Sequence, residues 1–249
     1  MTYNNMPATR ALLVLVCLLS GCAKPTNPID PFEPVNRVIF RFNERVDQAV
    51  LEPTARAYRF VLPQVVRNGI GNVFSNIGDV RVAVNNALQG KFKTAYSDFG
   101  RVVINSTIGM LGLFDVASAA GVEKHNEDFG QTLGVWGIGD GPFIMLPLLG
   151  PSSARDAVGL AVDYATDPLG YVVEPARPRN QLMITRVIHD RANVLDANTL
   201  LHRAALDLYL FMRDGYLQRR RSLVYDGAPP AEVEASERVD SPSAPHSPK

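Results

Sequence analysis

Pro34-Val35-Asn36-Arg37-Val38-Ile39-Phe40-Arg41-Phe42-Asn43-Glu44-Arg45-Val46-Asp47-Gln48-Ala49 decides the fold class of this chain. Val35, Val38, Ile39, Phe42, Val46 and Ala49 recur at helical spacing, and Arg37, Arg41, Glu44, Arg45 and Asp47 fall largely off that face. The pattern is that of an amphipathic α-helix. Pro34 suits a first helical position and Glu33 suits the positive end of the helix.

Towards the C-terminus the same reading repeats. Pro53 and Pro63 leave Thr54 to Leu62 room for a short helix at most. A longer helix should run from about Gln64 to Leu88, with Gly69 or Gly71 as the place for a bend and Gln89-Gly90 as its end. Phe92, Ala95, Tyr96, Phe99 and Val103 set another between Lys91 and Ser106. Val102 to Val122 lacks Lys and Arg and has one acid, Asp115. It reads as a buried core helix, as a membrane-embedded element that does not span, or as a true span; Asn105, Ser106, Thr107, Gly109 and Gly112 make the last a poor fit.

Beyond Gly130 the texture changes. Gly134, Gly137, Gly139, Gly141, Pro142, Pro147, Gly150 and Pro151 cannot share one regular helix, so a loop or hairpin is expected, with an apolar far limb from Phe143 to Leu149. Ser152-Ser153-Ala154-Arg155-Asp156 can start a helix with a capping hydroxyl and an early acid. Arg179 to Leu195 and Ala197 to Leu223 read as the last two helices, Arg219-Arg220-Arg221 complementing the negative end of the second. Strand signals are few, and the domain is predominantly α.

At the N-terminus, Arg10, the uncharged run Ala11 to Leu19, and Leu19-Ser20-Gly21-Cys22 form a signal peptide with a lipobox. The apolar run is too short to span a bilayer. A cysteine directly after Ser-Gly supplies a thiol for a diacylglycerol and, once freed, an amine for a further acyl chain; two or more chains give stable anchoring. Residues 1–21 are therefore the signal peptide and 22–29 an acylated, proline-rich tether. Residues 30–225 form the helical domain. Residues 226–249, rich in Pro, Ser, Ala and Glu, form a disordered tail. Cys17 leaves with the signal and Cys22 is acylated, so no thiol remains for a disulfide. Ala23, where retained inner-membrane lipoproteins often carry Asp, points to the outer membrane by the sorting rule of bacterial lipoproteins.

Lys+Arg and Asp+Glu are equal at 25 each, which disfavours nucleic acid as a partner. Enzyme signals are weak. No Gly-x-Ser-x-Gly elbow occurs; Gly150-Pro151-Ser152-Ser153-Ala154 is nearest and lacks the second glycine. His189 near Asp190 and His202 near Asp196 read as exposed helix residues, and His246 lies in the tail. His125, Glu127 and Asp128 make a partial metal set of the kind that is usually just solvated. Gly69-x-Gly71 lacks the third glycine of a nucleotide loop. The expectation is no catalysis, no metal and no cofactor beyond the covalent lipid on Cys22.

Long stretches resemble one family. They include Asp30-Pro31-Phe32-Glu33-Pro34-Val35-Asn36-Arg37, Phe40-Arg41-Phe42-Asn43, Arg67-Asn68-Gly69, Phe74-Ser75-Asn76 and Asn85-Asn86-Ala87-Leu88-Gln89-Gly90. Arg101 to Gly109 and Gly112 to Ala117 follow. Most distinctive are Asp128-Phe129-Gly130-Gln131-Thr132-Leu133-Gly134, Trp136-Gly137-Ile138-Gly139-Asp140-Gly141-Pro142, and Leu146-Pro147-Leu148-Leu149-Gly150-Pro151-Ser152 up to Arg155-Asp156. In these the chain resembles the MlaA (VacJ) family of outer-membrane lipoproteins.

The resemblance implies a ring-like helical bundle embedded in the inner leaflet of the outer membrane, facing the periplasm, with a central amphipathic channel. It implies partners too: phospholipid, a trimeric porin, and a soluble periplasmic lipid carrier that receives phospholipid strayed into the outer leaflet. It also places a channel-gating hairpin at Gly134, Gly137, Gly139 and Gly141, with Phe143 to Leu146 resting in lipid or against the ring. A porin-associated structural lipoprotein that moves no lipid is the alternative.

Overall fold

The computed structural model describes residues 27–230. The signal peptide, the lipobox with Cys22, and the tail beyond residue 230 lie outside them. Helices dominate: α1 (Glu33–Val46), α2 (Glu52–Val61), α3 (Gln64–Leu88), α4 (Phe92–Thr107), α5 (Val116–Ala119) and α6 (Phe129–Val135) precede a β-hairpin. Its strands are β1 (Phe143–Leu146) and β2 (Gly150–Ser153). Then come α7 (Ala154–Ala165), α8 (Leu169–Val172), α9 (Ala176–Asn193), α10 (Leu195–Ala204) and α11 (Leu208–Val224).

Pro53 does not separate α1 from α2. The chain stays helical through a π-turn, Asp47–Leu51, in which the Glu52 N–H reaches back to the Asp47 carbonyl. The wider turn makes room where a proline ring would crowd the preceding carbonyl. α3 covers the expected residues and closes as a Schellman motif: Gly90 has φ +79°, its N–H meets the Ala87 carbonyl, and the Lys91 N–H meets that of Asn86. Gly69 and Gly71 serve close approach. A Cβ on Gly69 would stand 2.8 Å from Leu113 Cδ1, and one on Gly71 would stand 2.7 Å from His189 Nε2.

The segment Val102 to Val122 is neither a helix throughout nor a span. α4 ends at Thr107, a tight turn passes Met110, Leu111 and Gly112 at positive φ, and Asp115 caps α5 by accepting the Ser118 N–H. No helix among the described residues is long and apolar enough to cross a membrane. The last expected helix is also two. It breaks at Ala205-Leu206-Asp207, where the Asp207 carboxylate accepts the Leu210 N–H and starts α11.

The hairpin pairs Phe143 with Ser153 and Leu146 with Gly150 in antiparallel register. α1 holds it by side chains. Asn36 donates to the Phe143 carbonyl and accepts the Met145 N–H; Asn43 does the same for Leu146 and Leu148. The Phe143 N–H meets the Ile29 carbonyl at 2.9 Å, so the last tether residue is already attached to the body. Phe143 and Met145 are buried against Tyr209 of α11 rather than resting in lipid. Ser153 caps α7 as expected, its hydroxyl accepting the Asp156 N–H.

Candidate functional site

On α4 the apolar stripe faces outward. Phe92, Tyr96 and Phe99 are 72%, 81% and 60% exposed, while Asp98, Arg101 and Asn105, spaced for the opposite face, are almost wholly buried. α1 repeats this with Val35, Val38 and Phe42 outside and Asn36 inside. On α3, Val80, Val84 and Leu88 face out and Asn76, Asp79 and Asn86 face in. Among the described residues, buried polar side chains outnumber buried apolar ones. In water this distribution is inverted, and apolar patches of this extent mark a surface that meets lipid or another apolar partner.

A polar interior is tolerable only if its groups find partners. Arg101 of α4 lies 3.5 Å from Asp79, donates to both oxygens of Asp115 at 3.1 and 3.2 Å, and reaches Ser118 and the Val122 carbonyl. Burial works against the charge of Asp115, but hydrogen bonds from Ser118 and Asn105 and the Arg101 charge outweigh it and hold the carboxyl at about 2. Arg220 of α11 grips Asp128, which caps α6, and Asp156 of α7, which also accepts the Tyr216 hydroxyl. Burial opposes ionisation of both acids, yet Arg220 at Asp128, and the Tyr216 hydroxyl together with Arg220 at Asp156, keep them below the usual carboxylate range. Arg220 therefore clamps three elements instead of complementing a helix end.

Between α3 and α9 lies an open groove of about 540 Å³. Its α3 wall is Gly71, Phe74, Ser75, Gly78, Asp79 and Val82, one helical face; Arg186, His189, Asp190 and Asn193 form the facing stripe of α9. Lys124 reaches in and is held by Ser75 and Asp79, and Arg186 is held by Asp167 at 3.0 Å. Arg81 also lines the groove. It borders a second cavity of about 220 Å³ with apolar walls at Val80, Val84, Leu88, Phe129 and Val162. Arg81 thus lines both the mixed polar and apolar groove and the apolar cavity.

His189 is buried, not exposed: Nδ1 meets the Tyr58 hydroxyl at 3.1 Å, Nε2 meets Asn193 at 3.0 Å, and burial lowers its pKa. His202 is exposed as expected, but its neighbour is Glu44 at 3.3 Å. His125, Glu127 and Asp128 are spent separately. His125 meets Asp98, the buried Glu127 accepts from Gln89 and Lys91, and Asp128 meets Gln131 and Arg220.

The four glycines are distributed unevenly. Gly134 is inside α6, where a Cβ would press on Val224; Gly137 and Gly141 take φ +91° and +68°; Gly139 has open space around it. Gly134, Gly137 and Gly139 line a pocket of about 170 Å³, and the limb is fastened at Asp140 by Arg155 at 2.6 Å. Sequence reasoning did not single out Arg81, and it named Asp190 only as the neighbour of His189. The signal was present in the polar spacing 186, 189, 190, 193 and in the small-residue face of α3 opposite it.

Fold and surface together define a mostly helical protein that turns apolar side chains outward over a paired polar interior and an open amphipathic groove. The family model for the MlaA lipoprotein matches residues 28–223, and the chain belongs to that family. It is 33% identical to the intermembrane phospholipid transport system lipoprotein MlaA of Escherichia coli over 87% of this chain and 88% of the relative. It is also 33% identical to an uncharacterized protein of Rickettsia bellii over 83% and 80%. A chain solved in work on the structural basis for maintenance of bacterial outer membrane lipid asymmetry matches with TM-score 0.69 and 35% identity, covering 78% of this chain and 98% of that one.

Proposed function

We propose that this lipoprotein withdraws phospholipid mislocalised to the outer leaflet of the outer membrane and hands it to a soluble periplasmic carrier, maintaining lipid asymmetry. The observation that carries the reading is the groove between α3 and α9, polar where Arg81, Lys124 and Asp190 line it, with Arg81 also lining an apolar pocket. Moving a two-chain lipid needs no covalent chemistry, only a path where the tails stay dry and the headgroup stays solvated. The acyl chains on Cys22 hold the ring-like body in the inner leaflet beside a trimeric porin, facing the periplasm. The glycine limb from Gly134 to Gly141 is the gate: Gly139 has room to move, and the Asp140–Arg155 pair acts as its latch.

The test is genetic. Cells lacking the protein should show more outer-leaflet phosphatidylethanolamine to a membrane-impermeant amine reagent, and the wild-type chain should reverse this. Cys22→Ser should leave the membrane fraction. Substitutions at Gly139 and Gly141 should raise the labelled lipid at unchanged protein and porin abundance. No rise in the deletion strain would sink transport and leave the porin-associated scaffold.

A further inference from the structure

Arg101 and Arg220 are buried or half-buried charges met by carboxylates. Two charges in the α3–α9 groove are engaged more loosely. The guanidinium of Arg81 makes no hydrogen bond within the described residues, its Nε is buried, and its nearest acid, Asp163, stands 3.9 Å away. Asp190, on the facing helix, accepts no hydrogen bond. It is exposed to the groove; desolvation raises its carboxyl above the usual carboxylate range, against the opposing charges of Arg186 and His189. The other charges of the groove are already spent, Lys124 on Asp79 and Arg186 on Asp167. What remains is a cation held only by a long ion pair and an exposed anion that accepts no hydrogen bond, lining a single space.

We propose that this groove seats a zwitterionic phospho-ammonium headgroup of the phosphoethanolamine class, with the phosphate on Arg81 and the ammonium on Asp190. The assignment rests on the transport reading and deepens it. An arginine offers five donors in a planar fork suited to phosphate oxygens, and the buried Nε of Arg81 is costly to leave without a hydrogen bond. Arg81 also stands between the polar groove and the apolar cavity of Val84 and Phe129. A phospholipid's phosphate occupies the equivalent border, between headgroup and acyl chains. A phosphatidylglycerol headgroup carries the phosphate without the cation, satisfying Arg81 and leaving Asp190 unmet. Glycerophosphoethanolamine carries both charges but no chains for the apolar cavity.

The full-length lipoprotein, extracted in detergent, is incubated with mixed micelles holding equimolar phosphatidylethanolamine and phosphatidylglycerol, and retained lipid is counted by native mass spectrometry. Wild type should retain phosphatidylethanolamine over phosphatidylglycerol by about fivefold, the size of one partly exposed charge pair. Asp190→Asn should bring the ratio to about one without lowering phosphatidylglycerol. Arg81→Gln should lower both lipids by about tenfold, and Arg81→Lys should restore part of the loss. Excess glycerophosphoethanolamine should displace little lipid; displacement as effective as by the intact lipid would overturn a lipid seat in favour of a free headgroup site. Asp190 has no hydrogen bond to lose, so its variant remains readable even where Arg81→Gln fails to fold. An unchanged ratio in Asp190→Asn overturns the headgroup assignment while lipid retention keeps the transport reading standing. A wild-type protein that retains no phospholipid overturns both.

Discussion

Arg220 carries more of the architecture than any other single side chain described above. It joins the cap of α6, the first turn of α7 and the body of α11 through Asp128 and Asp156, at 11% side-chain exposure. Removing one member of such a buried set strands the others, at a cost of about 3–5 kcal/mol. Arg220→Ala should therefore lose about 3 kcal/mol or more in chemical unfolding followed in detergent. Close by, a Cβ on Gly159 would stand 2.4 Å from the Gly130 N, so these two glycines let α6 and α7 approach backbone to backbone. Asp115 gives a pH signature. Its folded value is depressed to about 2, against about 3.9 in an unfolded chain. The stabilisation is therefore full above about pH 4 and fades as pH falls through 2. Between those values wild type should lose stability more steeply than Asp115→Asn when unfolding is measured at each pH.

At the scale of elements, the hairpin depends on α1. Asn36 supplies a donor to Phe143 and an acceptor to Met145, and it donates to Asp30 at 2.8 Å. Asn36→Ala leaves three buried groups without their partner, each worth about 1–3 kcal/mol. The expected result is faster amide exchange over 143–148, measured by hydrogen–deuterium exchange, ahead of global unfolding. Helical periodicity made α1, α3 and α4 legible in the sequence, because the spacing of apolar residues is the same whichever side they face. It did not reveal the direction of those faces. Asn36, Asp98 and Asn105 look like surface residues until a second helix is laid over them. The Asp207 break was missed because the flanking leucines keep helical register across it. The groove escaped because its two walls are more than a hundred residues apart, and each wall alone reads as an ordinary polar stripe.

At the scale of the whole molecule, large apolar side chains turn outward and paired charges turn inward, the distribution of a protein whose surface meets an apolar partner. The apolar stripes of α1, α3 and α4 suit lipid contact, and no described helix is long and apolar enough to cross a membrane. The polar interior also has a calorimetric consequence. Unfolding a soluble domain exposes apolar surface and raises the heat capacity by about 12–15 cal/mol/K per residue, whereas exposing polar surface lowers it. Among the described residues most of the buried polar side chains are Asn, Asp and Arg, and many of the large apolar groups are already outside. Differential scanning calorimetry in detergent should give a heat-capacity increment per residue well below that range. The stability curve would then be broad and shallow, and the fold would change little in strength between a cold environment and a warm one.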